Sequence, residues 1–130
     1  MYKNEVIVRL IISGALNDIS EIAEKIHATK IWKVGDLKNE KGTIEYKTNG
    51  CEFSIQKKDI LHVDSILHDL ILHLTPQQEG VLSSLDTEKK LSIVVYSNDL
   101  MPSFSFTKES LEFLCSINAE LDLDIYCMKE

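Results

Sequence analysis

Arginine is nearly missing from this chain: of 14 basic residues only Arg9 is one, and the formal net charge is −7. Arginine is the side chain that best forks onto phosphate or guanine, and a net acid is repelled by a phosphate backbone, so nucleic acid is not expected as a partner. Long apolar runs are missing too. The strongest, "VIVRLII", is far shorter than a bilayer span and is broken by Arg9. No charged-then-apolar signal segment opens the chain, so no membrane association and a cytoplasmic location are expected. The three cysteines, Cys51, Cys115 and Cys127, are odd in number and widely spaced, with no C-x-x-C pair. They read as buried free thiols rather than disulfides or metal ligands. Low-complexity segments, linkers and short-period repeats are also absent.

What is present is an ordinary globular composition. With 130 residues, 44% of them hydrophobic and 27% charged, the whole chain from 1 to 130 is expected to form one α+β domain around one core. An acidic surface of this kind speeds encounter with a basic partner, although acidity alone does not demand one.

The patterns along the chain predict a definite order of elements. "EVIVRLIISG" is β-branched and apolar throughout, so it reads as a strand buried on both faces and central in its sheet, ended by Gly14. Ile19, Ile22, Ala23 and Ile26 recur at helical spacing behind Asp18 and Glu21, a D-x-x-E start resembling a capping box. "KIWKV" predicts a short strand and "GDLKNEKG" a charged loop. "GTIEYKTNGCEFSIQ" reads as a hairpin about Asn49-Gly50, with Thr48 facing Cys51, Lys47 facing Glu52 and Tyr46 facing Phe53.

Further along, Val63, Ile66, Leu67, Leu70, Ile71 and Leu74 mark a second helix. Thr75, Pro76 and Gln78 form a capping signature for a short third one. "KLSIVVYS" is a strand, "NDLMPS" a loop, and Thr107 caps a last helix with Leu111, Leu114 and Cys115 as its buried stripe. Finally "AELDLDIYC" alternates as a strand, leucines one way and Glu120, Asp122, Asp124 and Tyr126 the other. This order predicts a two-layer α+β sandwich, an antiparallel-rich sheet with helices on one face, resembling the ferredoxin-like arrangement. The acids of the last strand then look out from the helix-free face.

The opening strand ending in Ser13-Gly14, "KIWKVGD" after the first helix, "IVVYSND" and the closing "LDLDIY", taken as an ordered set, resemble the bacterial domain of unknown function 4279 family. That resemblance covers nearly the whole chain and transfers no catalytic residues. It implies a small bacterial cytoplasmic protein, and similar domains have been proposed as immunity proteins that neutralise a toxin.

Several side chains invite a chemical reading. Asp122 and Asp124 lie about 7 Å apart along one strand face and could converge on a hard cation, but no Gly-turned calcium loop adjoins them. Solubility and register are the plainer explanation, with a protein-facing strip second and metal third. His62, His68 and His73 are spread along one helix, too far apart to share a zinc ion. Asp64 with His68, and Asp69 with His73, stand at i and i+4, where a carboxylate can orient an imidazole, yet ordinary helix pairing explains them as well. Trp32, flanked by Lys30, Lys33 and Asp36, suits a partner anchor but suits the core better. Phe104 and Phe106 read as core, and the "DLKNEK" loop as a solvated tip.

The expectation is therefore a non-enzymatic protein-binding module with no cofactor and no metal, taking a basic partner such as a toxin through Trp32, Asp36, Glu120, Asp122, Asp124 and Tyr126. Its rivals are a small metal-assisted or His/Asp-based enzyme and a small-ligand regulatory module with an apolar pocket.

Overall fold

A computed structural model describes residues 4–14, 18–38, 42–58, 62–97 and 105–127. Strand β1, Glu5–Gly14, sits at the centre of a five-stranded sheet. Helix α1, Ile19–Ile26, leads to the three-residue strand β2, Lys30–Trp32, and then to β3, Asn49–Lys58. Helices α2, Val63–Leu72, and α3, Pro76–Ser84, precede β4, Glu88–Ser97. Helix α4, Lys108–Ser116, crosses over to the closing strand β5, Glu120–Cys127. The sheet order is β2-β3-β1-β4-β5. Every pairing is antiparallel except the last, where β5 runs parallel to β4 with Leu121 beside Leu91 and Asp122 beside Ser92. A parallel pair needs a crossover connection, and α4 provides it. The α+β class and the antiparallel-rich sheet are as the sequence order predicts.

The core lies on one face of that sheet. Val6, Val8, Leu10 and Ile12 of β1 are fully buried, as are Leu91, Ile93 and Val95 of β4, and all four helices supply side chains to the same cluster. The expectation that β1 is buried on both faces needs correction. Ile7, Arg9 and Ile11 point the other way and are only half-buried, because no described helix covers that side. An unbroken apolar run in β1 thus reports a central position in the sheet rather than two covered faces.

The predicted hairpin about Asn49-Gly50 does not form. Asn49 and Gly50 instead open β3 and pair with Gly14 and Ser13, while Gly50 also pairs with Trp32 across β2. A type I′ turn requires positive φ at both central residues, and neither Asn49 nor Gly50 has it. Residues 42–46 fold back on 35–38 instead, through Lys38 N–H to Ile44 O, Tyr46 N–H to Asp36 O and Gly35 N–H to Tyr46 O. The glycine at position 50 serves a close approach: a Cβ there would lie 2.6 Å from the indole nitrogen of Trp32 and nearer still to its ring carbons.

Helix ends divide between expectation and surprise. Thr75 accepts from Gln78 N–H at 3.2 Å, and the Gln78 side chain returns to accept from Thr75 N–H at 2.8 Å, a complete capping box with Pro76 inside the first turn. Thr107 likewise accepts from Ser110 N–H. Asp18 makes no side-chain cap bond, so the predicted box on α1 is absent. On α4 the buried stripe is Ser110, Phe113, Leu114 and, just beyond, Ile117, whereas Leu111 and Cys115 are exposed. The buried face is thus turned from the predicted Leu111, Leu114 and Cys115 towards Phe113, whose ring packs against the core and leaves the Cys115 thiol exposed. Among the described residues Phe106 is half-buried against the core, while Pro102 and Phe104, the tip of the charged loop at 39–41 and the Cys127 side chain lie outside them.

Candidate functional site: an acidic sheet edge

β5 exists as a strand because its side chains alternate, and its pairing with β4 fixes where each one goes. Leu121, Leu123 and Ile125 align with the buried Leu91, Ile93 and Val95 on the helical side. Glu120, Asp122, Asp124 and Tyr126 align with Lys90, Ser92, Val94 and Tyr96 on the helix-free side. All four of those side chains are exposed, as expected. Tyr126 stacks on Tyr96, ring centroids 5.3 Å apart and planes 18° from parallel, which fixes one end of the row. Among the described residues none of the three acids forms an ion pair; the pairs there are Arg9 with Glu52, Lys25 with Glu21 and Lys108 with Glu112.

The start of the row borders an open recess of about 450 Å³ on the same face, lined by Ile11, Ser13, Glu88, Lys90, Asn118 and Glu120. Its walls carry both signs of charge, and it is shaped by the sheet end rather than by apolar side chains. The only arginine, Arg9, lies on this face as well, with its Nε 3.4 Å from a Glu52 carboxylate oxygen.

The remaining candidate residues are held elsewhere. Trp32 is 6% exposed, pressed between the Gly50 backbone and the ring of Tyr46, whose centroid is 4.7 Å away. Its indole N–H finds no acceptor among the described residues. Lys30 stands 5.9 Å from the Trp32 ring centroid, and Lys38 stands 5.2 Å from that of Tyr46, so two cations close the stack. The packed reading of Trp32 is the one its surroundings support. Asp36 is exposed, and its carboxylate accepts from Lys33 N–H at 2.8 Å, shaping the turn that follows β2. β2 and β5 are opposite edges of the sheet, four strand spacings or about 19 Å apart, so Trp32 and Asp36 do not join the acids of β5 in one patch.

Two side chains of the enzyme reading, Asp64 and His73, make contacts that hold the helices. The Asp64 carboxylate accepts from Ser110 Oγ at 2.9 Å and Thr107 N–H at 3.3 Å, tying α2 to the start of α4 instead of orienting His68. His73 Nδ1 lies 2.7 Å from the backbone oxygen of Asp69, not its carboxylate. Among the described residues no three His, Cys, Asp or Glu side chains gather closely enough to hold a metal ion. No helix among them is long and apolar enough to cross a membrane.

Two buried titratable groups belong to the scaffold. Lys89 is almost wholly buried and donates to the carbonyls of Leu82 and Leu85, ending α3. Burial lowers its pKa, and the charge of Asp86 works against that shift. Cys51 is fully buried, and burial, assisted by the Glu52 charge, pushes its thiol from 9.0 up to about 11. The unfolded chain therefore releases this proton first, so the contribution of Cys51 to stability is complete below pH 9 and lost as pH rises through 11. By pH 11 the loss should reach about 2 kcal/mol. Urea unfolding of the wild type and of Cys51→Ala at pH 8 and pH 11 should show the variant sparing that much of the alkaline decline.

Sequence reasoning did not find the neighbours of the acidic row, Lys90 and Tyr96. The signal was there: a strand, a helix and a returning strand at the chain end imply a parallel pair, from which the β4 residues beside β5 follow.

A small α+β domain with one long acidic edge is the class of protein that this fold and this strand define. Residues 4–128 match the family described as Domain of unknown function (DUF4279), and the chain belongs to that family. No curated protein and no solved structure matches the chain.

Proposed function

We propose that this protein is a non-catalytic, cytoplasmic binding module that captures a basic protein partner through the acidic row of β5, in the manner of an immunity protein that occludes a toxin. The observation that carries this reading is the row itself: Glu120, Asp122 and Asp124 are exposed side by side on an edge strand, with no ion-pair partner among the described residues. Such a row attracts a positively charged surface, speeds its encounter and does not itself need chemistry. The free thiols Cys51 and Cys115 suit a reducing compartment.

Co-expression with the product of the adjacent gene is the test. The wild type should restore growth and co-purify with that product. Asp122→Lys combined with Asp124→Lys should do neither, while its stability stays within about 0.5 kcal/mol of the wild type, as expected of surface positions. Rescue that survives the charge reversal would remove β5 from the reading, and no rescue with no complex would remove the reading.

A further inference from the structure

The outer edge of β5 has no strand beside it among the described residues, and its eight residues, "ELDLDIYC", contain no lysine or proline, so the only charges that guard it are negative. Protein edges are normally protected by such devices, because unpaired backbone groups invite another strand. The apolar side of β5 is equally unfinished. Leu121, Leu123 and Ile125 are 38%, 40% and 40% exposed, whereas their partners Leu91, Ile93 and Val95 are completely buried. The core layer thus continues one strand beyond the helices that cover it.

A second copy of the chain does not suit this edge. In the two antiparallel pairings of β5 with itself that align seven of its residues and keep leucines on the helical side, acid faces acid: Asp122 meets Asp124 in one, and Asp124 meets its own copy in the other. Like charges directly opposite one another destabilise a strand pair. Opposite charges in the same positions stabilise it.

We propose that β5 is a docking edge for an extended segment of a partner protein in which basic residues alternate with apolar ones. The segment adds a sixth strand, its backbone completing the ladder, its lysines or arginines facing Glu120, Asp122 and Asp124, and its apolar side chains extending the row of Leu121, Leu123 and Ile125. This rests on the binding reading above and specifies how the partner is held.

The probe is a capped eight-residue peptide of alternating lysine and valine, added to the isotope-labelled full chain. Two further versions carry N-methyl groups either on every lysine nitrogen or on every valine nitrogen. In an extended strand these two sets of N–H groups point to opposite sides, so only one set can bond to β5. The expected result is slowed hydrogen exchange at alternate amides of residues 120–127, with one methylated peptide bound and the other not. Asp122→Lys with Asp124→Lys should weaken the unmodified peptide by about tenfold, since two attractive cross-strand pairs become repulsive. Equal binding of both methylated peptides would overturn strand addition while leaving the acidic row as a charged surface. No binding of the lysine-valine peptide would overturn it as well, with the co-expression test still deciding the broader reading. A dimer of the chain with protected β5 amides would assign the edge to a second copy instead.

Discussion

Replacing Ile93 by alanine should lower the folding free energy by about 2–5 kcal/mol, the range for emptying a closed apolar site. Replacing Leu123, its neighbour in the same row one strand further out, should lower it by less than about 1.5 kcal/mol. The two side chains are in register on the same face of the sheet, but Ile93 is 0% exposed and Leu123 is 40% exposed. Truncating a half-exposed side chain leaves no enclosed cavity, and water fills the space. Urea denaturation of the two variants checks this directly. An equal loss for both would mean that β5 belongs to the closed core, and that its leucines are not held ready for anything else. If Leu123→Ala folds well yet weakens binding of the lysine-valine peptide, the outer row matters for recognition more than for folding.

The second large effect is expected at the opposite edge. Trp32→Ala should cost about 3–5 kcal/mol, because the ring fills the space between Gly50 and Tyr46. Gly50→Ala should cost about 1–3 kcal/mol for the opposite reason, since the added methyl collides with the indole. The two penalties share one cause and should not add. With Trp32 already truncated, alanine at position 50 has room and becomes nearly neutral, a coupling that a double-mutant cycle measures. Additive losses would show that Gly50 is required by the backbone and not by the ring above it.

These two sites also show what the chain discloses of its fold. Alternation disclosed β5 and the face each of its residues takes, because a period of two is local and survives any pairing. The Thr75 capping box was legible for the same reason, its three participants lying within four residues. Asn49-Gly50 misled because a turn dipeptide looks the same whether glycine is wanted for positive φ or for a missing Cβ. Only Trp32, 18 positions earlier and on another strand, distinguishes the two cases. The acidic row could be seen in the sequence as a pattern, but its position on the outermost strand could not, since edge and centre differ by what lies alongside. Nor could Asp64 be told from half of a catalytic pair before Ser110 and Thr107 were brought to its carboxylate.

The position of β1 has a kinetic consequence. Glu5 meets Lys58 on one flank and Tyr96 on the other, so β1 finds its second neighbour only after β3, α2 and α3 have also been made. Loop closure over such separations slows folding towards the millisecond-to-second range typical of non-local β topologies. During synthesis a sticky β-branched ribbon waits for company, and the negatively charged β5 joins the sheet only after β4 has been made.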